Sequence, residues 1–258
     1  MNGATAAANR KRMIALLSPA KTLDYDSPLP DIAATRPRFG DEAATLAKAA
    51  SHLTQKKLQA LMHISPALAK LNADRFRDFA DAPERPALFA FAGDVYTGLE
   101  ARTLPDAALP FAQEHLRLLS GLYGLLRPLD RMRPYRLEMG TRWAPRKTKL
   151  TDWWGDRIAD ALVEDLKKEG GDTVLNLASQ EYFAAVAGKL PADVRVVGVD
   201  FRDGERFISF HAKKARGMMA RWMIEHRVTA IDAMKGFDSD GYAFDADAST
   251  DDQWTFRR

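Results

Sequence analysis

Residues 14–24 read Ile14-Ala15-Leu16-Leu17-Ser18-Pro19-Ala20-Lys21-Thr22-Leu23-Asp24, a short apolar run that stops at Ser-Pro and turns into a polar loop carrying a lysine. An apolar run of this length, ended by a turn signal, reads as a buried strand feeding a loop. The pattern returns twice. Residues 88–91 run into Gly93-Asp94-Val95-Tyr96-Thr97-Gly98-Leu99, and residues 173–177 run into Ala178-Ser179-Gln180-Glu181. Helical segments lie between these strands. One is alanine-rich and opens at Asp41, one spans residues 55–62 behind a Thr54 cap, and one starts at Pro66 behind Ser65. Further helices are expected over 111–119, from a Thr151 cap to Lys168 before Gly170-Gly171, and over 214–228. Residues 194–201 and 206–211 flank Asp203-Gly204 and read as a β-hairpin, with a last strand at 241–244. Strands and helices are interspersed throughout, with no repeat and no separating linker. The expectation is therefore α/β (mixed α+β), a single domain over 13–258, with residues 1–12 as a disordered leader.

The chain has 258 residues, 46% of them hydrophobic, which is enough for a substantial core. It contains no cysteine, which excludes disulfides, thiolate catalysis, zinc ribbons and iron–sulfur ligation, and suits a reducing cytoplasm. No apolar stretch approaches the roughly 20 residues needed to span a bilayer, and residues 13–17 are too short for the hydrophobic region of a signal peptide. A cytoplasmic protein without a membrane partner is expected.

Positive charge is concentrated in two windows. Residues 127–149 hold eight Lys and Arg against two acids, and residues 211–227 hold five against one, although the whole chain carries only +3. Clustered cations attract polyanions by neutralising phosphates and releasing counterions. The first window overlaps Ser120-Gly121-Leu122-Tyr123-Gly124-Leu125-Leu126-Arg127-Pro128-Leu129-Asp130 and continues to Pro134-Tyr135-Arg136-Leu137-Glu138-Met139-Gly140. That mixture of glycine, proline, aromatic and arginine is built to present side chains.

The five histidines show neither a two-histidine helical spacing nor a zincin pattern, and no Walker loop or G-x-G-x-x-G follows a strand. No metal and no cofactor are expected. Lys21, Asp94, Asn176, Ser179 and Glu181 all fall just after expected strands, where α/β proteins place their ligand sites. With Tyr96, Tyr135, Arg136, Glu138, Arg142, Lys213, Lys214 and Arg216 they supply acids, bases and phosphate binders for a polar pocket. Taken singly, Asp94, Ser179 and Glu138 read equally well as caps or ion-pair partners. The helix, tight turn and helix over 55–79 carry Lys56, Lys57, Lys70, Arg75 and Arg77. They read either as a helix-hairpin-helix clamp, with helix N-termini and turn amides on a phosphate, or as an ordinary antiparallel helix pair.

These motifs together resemble the YaaA peroxide stress family of bacteria. The match rests on the blocks at 17–24, 91–99 and 118–140, on Asn176-Leu177-Ala178-Ser179-Gln180-Glu181-Tyr182-Phe183, and on Ile208-Ser209-Phe210-His211-Ala212-Lys213-Lys214-Ala215-Arg216-Gly217, with Gly236-Phe237 and Gly241-Tyr242 closing the series. His211 stands where the family has a tyrosine. The resemblance implies a cytosolic protein that helps cells survive hydrogen peroxide by limiting iron-mediated damage. It further implies a basic cleft, a helix-hairpin-helix element, and binding to double-stranded or branched DNA.

Three functional readings follow. The leading one is a non-enzymatic DNA-binding stress protein. Arg131, Arg133, Arg136, Arg142, Lys213, Lys214 and Arg216 would line the cleft, and Lys56, Lys57, Lys70 and Arg75 would form the clamp, reading backbone and shape rather than bases. The alternative is an enzyme acting on a nucleotide or other small phosphorylated substrate, with Lys21, Asp94, Tyr135, Glu138, Ser179, Glu181 and Lys213 as candidate catalytic residues. Direct iron sequestration is a third reading, for which no compact His and carboxylate cluster is visible in the sequence. The oligomeric state is left open.

Overall fold

In the computed structural model, which describes residues 12–258, the apolar run at 14–17 is the heart of β1 (Arg12–Leu17), fully buried from Met13 to Leu17. A central parallel strand is covered on both faces, so its apolar residues run continuously instead of alternating. Of the leader expected at 1–12, only Arg12, which opens β1, is among the described residues.

Beyond β1 come a two-residue strand, β2 (Thr22–Leu23), and three helices, α1 (Gly40–Ser51), α2 (Gln55–Met62) and α3 (Pro66–Arg77). Thr54 and Ser65 are N-caps as expected, their hydroxyls accepting from the amides of Lys57 and Leu68.

The strand expected at 88–91 is instead mostly a buried helical turn, α4 (Ala87–Ala90), between β3 (Arg85–Pro86) and β4 (Phe91–Ala92). Four apolar residues fit a buried helical turn as well as a strand. Here the carbonyls of Asp130 and Pro128 accept from the amides of Ala87 and Leu88, both at 2.9 Å, and anchor the turn. A short helix, α5 (Asp94–Leu99), follows.

The helix expected across 111–119 also ends early. α6 (Leu109–His115) passes directly into β5 (Leu116–Ser120), every residue of which is buried. β6 (Gly124–Leu126) folds back on β5, and β7 (Arg131–Met132) pairs with β3. The single helix expected from Thr151 to Lys168 is two, α7 (Leu150–Trp154) and α8 (Arg157–Lys168), separated at Gly155, whose φ of 55° ends the first.

β8 (Gly171–Leu177), α9 (Gln180–Phe183) and β9 (Arg195–Arg202) follow. The expected hairpin across Asp203-Gly204 reduces to one isolated bridge between Asp203 and Arg206, because the chain then enters α10 (Ser209–Glu225). The free edge of β9 is taken by β11 (Gln253–Arg257), a strand not anticipated, and β10 (Ala243–Asp245) pairs antiparallel with β11.

The main sheet has seven strands in the order β10-β11-β9-β8-β1-β5-β6. Its five inner strands run parallel and its two edges antiparallel. The fold class is thus the mixed α/β arrangement expected, built on one continuous hydrophobic core. Among the described residues, no helix is long and apolar enough to cross a membrane. After β1 the next strand of this sheet is β5 on one side; after β8 it is β9 on the other. The chain leaves these two neighbours in opposite directions. The crevice beyond their carboxyl ends is a topological switch point, where open α/β sheets bind ligands.

Candidate functional site at the switch point

Ser18 follows β1 and Ser179 follows β8. The Ser179 amide donates to Ser18 Oγ at 2.8 Å, and the two hydroxyl oxygens lie 3.3 Å apart. Tyr96 Oη donates to the Ser18 carbonyl at 3.1 Å, so the first loop is held from both sides. Burial pushes the phenols of Tyr96 and Tyr182 well above their ordinary pKa, which leaves both as neutral hydrogen-bonding groups.

Asp94 is carried into this region by the first turn of α5, and Lys213 and Arg216 by α10. Lys213 Nζ lies 3.6 Å from Asp94 Oδ2. The resulting cavity, of about 380 Å³, is bounded by Ser18, Lys21, Asp94, Ser179, Glu181, Lys213 and Arg216. Arg216 Nε is buried without a hydrogen-bond partner, and burial lowers the pKa of its guanidinium. An arginine nonetheless stays charged, here with the Asp200 carboxylate as its electrostatic partner, and its Nε–H is a donor without an acceptor beside the cavity.

A second cavity, of about 600 Å³, shares Lys21 and Glu181 with the first and adds Arg136, Glu138, Thr141 and Arg142. Arg136 Nε donates to Glu138 Oε1 at 2.9 Å, and Lys21 Nζ is 3.7 Å from the same oxygen. Glu181 Oε1 accepts from the Gly140 amide at 3.1 Å, tying the 120–140 segment to the loop after β8. The opposite wall is the end of α2, from Ala60 to His63. His63 takes a left-handed conformation, with φ of 49°, and turns the chain into α3.

The expected cations are distributed over several places. Arg136, Arg142, Lys213 and Arg216 belong to the two joined cavities. Arg131 and Arg133 flank a separate cavity of about 760 Å³ with Arg36, Arg38, Lys48 and Arg77, and Arg133 Nη2 is 3.0 Å from Glu84. Lys214 faces a fourth space between α5 and α10, beside Glu100 and Glu225. On the helix pair, Lys56 and Lys57 are exposed, Lys70 pairs with Asp74 at 2.7 Å, and Arg75 is partly buried. Tyr135 is buried behind the site with its hydroxyl 2.6 Å from Ser120 Oγ, and burial raises its pKa.

Sequence reasoning passed over Ser18, although its place after β1 mirrors that of Ser179 after β8. It also passed over Arg36, Arg38 and His63, whose roles depend on which elements pack beside them.

The family model described as peroxide stress protein YaaA matches residues 13–248. A UPF0246 protein of Rhizorhabdus wittichii is 59% identical over 249 residues, covering 95% of this chain and 98% of the relative. A UPF0246 protein of Bordetella petrii is 50% identical over 255 residues, covering 95% of this chain and 99% of the relative. With the strand-end loops and the 120–140 segment all inside the matched region, the chain belongs to the YaaA family of peroxide stress proteins.

Proposed function

We propose that this peroxide stress protein acts in the cytoplasm to limit iron-mediated damage and that it binds the phosphate backbone of double-stranded or branched DNA. The observation that carries the DNA reading is the shared wall of the 600 Å³ cavity, where the end of α2 faces Lys21, Arg136 and Arg142. Lys56 and Lys57 stand exposed on the same helix, and Arg142 is exposed opposite it. Exposed cations on two facing elements are free to replace the counterions of a phosphate backbone. The α2–α3 pair then works as the clamp of a helix-hairpin-helix, with its turn and the Ser65-capped N-terminus of α3 available to a phosphate.

The test is a titration of labelled duplex and four-way-junction DNA at two salt concentrations, with wild type and Lys56→Ala/Lys57→Ala/Arg142→Ala. Salt-sensitive binding, weakened in a folded variant whose salt slope is shallower by roughly 0.9 for each phosphate no longer neutralised, supports the reading. Binding indifferent to salt and to the substitutions sinks it.

A second reading, an enzyme acting on a nucleotide or other small phosphorylated substrate, is favoured by the switch-point cavity itself. Arg216, Lys213 and Lys21 converge there with the carboxylates of Asp94 and Glu181. Retained binding of a nucleoside monophosphate by the triple variant, lost in Arg216→Met, separates this reading from the first.

A further inference from the structure

At the end of the sheet opposite the crevice, the starts of β5 and β8, the two strands that flank β1, bring together side chains that are distant in sequence. Glu114 and His115 close α6 just before β5, and Glu169 follows α8 just before β8. One ligating atom from each, two carboxylate oxygens and a His115 ring nitrogen, lie within 4.8 Å of one another.

The state of His115 follows from its surroundings. Its side chain is 3% exposed, and its ring packs 4.4 Å from that of Phe111, which holds it in place. Nδ1 lies 3.3 Å from the Met13 carbonyl oxygen, an atom that only accepts, so Nδ1 carries the proton. Nε2 is then a bare lone pair. It is turned toward Glu114 Oε2 at 4.0 Å, beyond hydrogen-bonding distance, and no hydrogen bond reaches it among the described residues. A protonated His115 neutralising the two acids would need a hydrogen bond that this geometry does not make.

Three ligating atoms, one imidazole nitrogen and two carboxylate oxygens, therefore face one another with no hydrogen bond joining them among the described residues. The cation near them is Arg12, whose Nη1 is 3.9 Å from Glu169 Oε2 and whose side chain is 52% exposed. A pair that long and that wet is a weak counter-charge.

We infer that Glu114, His115 and Glu169 form a binding site for a divalent first-row transition-metal cation. One imidazole and two carboxylates suit Zn(II), Co(II), Fe(II) or Mn(II); an all-oxygen set would select calcium or magnesium, and thiolates would select copper(I). The Nδ1–H to backbone carbonyl bond is the outer-shell contact that orients a metal-binding histidine and fixes its tautomer. Metal–ligand bonds of about 2.1 Å require the three donors to draw closer than they stand. Glu114, with its side chain 57% exposed, has the freedom to swing inward and leaves the solvent side of the ion to water. The site goes beyond the DNA reading, since it lies at the far end of the sheet from the crevice.

The experiment is titration of the chelator-stripped full chain with Co(II), followed by visible d–d absorption and by thermal melting. One saturable equivalent is expected, with a rise in melting temperature, since a ligand that binds only the folded state stabilises it. Zn(II) should displace it and Mg(II) should not. Glu114→Gln and Glu169→Gln should each weaken Co(II) by roughly tenfold or more. His115→Ala should abolish binding; because that residue is buried, Glu114→Gln, at a largely exposed position, decides the matter if His115→Ala does not fold. Absence of saturable Co(II) binding, undiminished binding in both glutamine variants, or loss of binding in the crevice variant Glu181→Gln overturns the proposal.

Discussion

Gly98 packs directly on the backbone of Lys214, so closely that a β-carbon at residue 98 would stand 2.0 Å from the Lys214 carbonyl oxygen. One at Gly217 would stand 1.8 Å from the Val95 carbonyl oxygen. The two glycines let α5 and α10 meet backbone to backbone, and that contact sets Asp94 and Lys213 3.6 Å apart at the crevice. Since the opposing atoms are backbone, no rotamer change relieves the clash. Gly98→Ala or Gly217→Ala should destabilise the fold by about 3 kcal/mol through overpacking. Denaturant unfolding checks this, and a change near zero would mean that the helices separate freely.

Asp165 should be less tolerant of change than a surface acid. It accepts from Arg117 Nε and from Arg38 Nη2, both at 2.6 Å, and Arg117 is only 3% exposed. Removing the carboxylate leaves a buried guanidinium without its counter-charge, so Asp165→Ala should cost roughly 3–5 kcal/mol. Joint replacement of Arg117 and Asp165 by leucine and methionine should recover most of that loss. Equilibrium unfolding of the single and double variants measures it.

Acid stability should depend on Asp203. Arg258 donates to its carboxylate at 2.6 Å and His211 contacts it as well, and these bonds hold its pKa at about 2, below the ordinary 3.8. A depressed pKa contributes stability that is fully present above the unfolded value and is lost as pH falls through the folded one. The stability gap between wild type and Asp203→Asn should therefore close between about pH 4 and about pH 2. A gap that does not change over that range would refute the assignment.

Ser120 serves two buried partners, the Tyr135 hydroxyl at 2.6 Å and the Tyr123 amide at 2.8 Å. Tyr135→Phe removes one group and should cost about 1 kcal/mol, whereas Ser120→Ala strands two and should cost about 2–3 kcal/mol. Tyr135→Phe should leave DNA affinity unchanged, measured in the titration above, because its hydroxyl points into the core.

Lys213 and Lys214 are adjacent in sequence and serve different cavities. In phosphate-ligand titrations, Lys213→Ala should weaken binding severalfold and Lys214→Ala should change it little. Equal effects would mean that the α5–α10 space takes part in binding.

The strand-end loops were legible because each is a local event, an apolar run ending in a turn signal before Lys21 or Ser179. The caps at Thr54 and Ser65 were legible for the same reason. Residues 88–91 and 116–119 were not, since a few buried apolar residues carry no period that separates strand from helix; what settles them is the carbonyl of Asp130 in one case and pairing with β1 in the other. β11 was missed because its partner β9 lies some fifty residues upstream. The cations at 127–149 and 211–227 read as one basic surface because sequence records charge but not direction; Glu84 and Glu100, which divide that surface, come from other elements.

By itself the amino-acid sequence determined the class of the fold, the ends of β1 and β8, the capping of α2 and α3, and the family, all properties written in neighbouring residues. Tertiary structure alone decided that Ser18 meets Ser179, that Arg216 Nε is buried without a hydrogen bond, that the hairpin faces Arg142, and that Glu169 reaches His115. Those relationships depend on which strands and helices lie side by side, and pairing between distant segments is set by burial and backbone hydrogen bonding across the whole chain, which no local window contains.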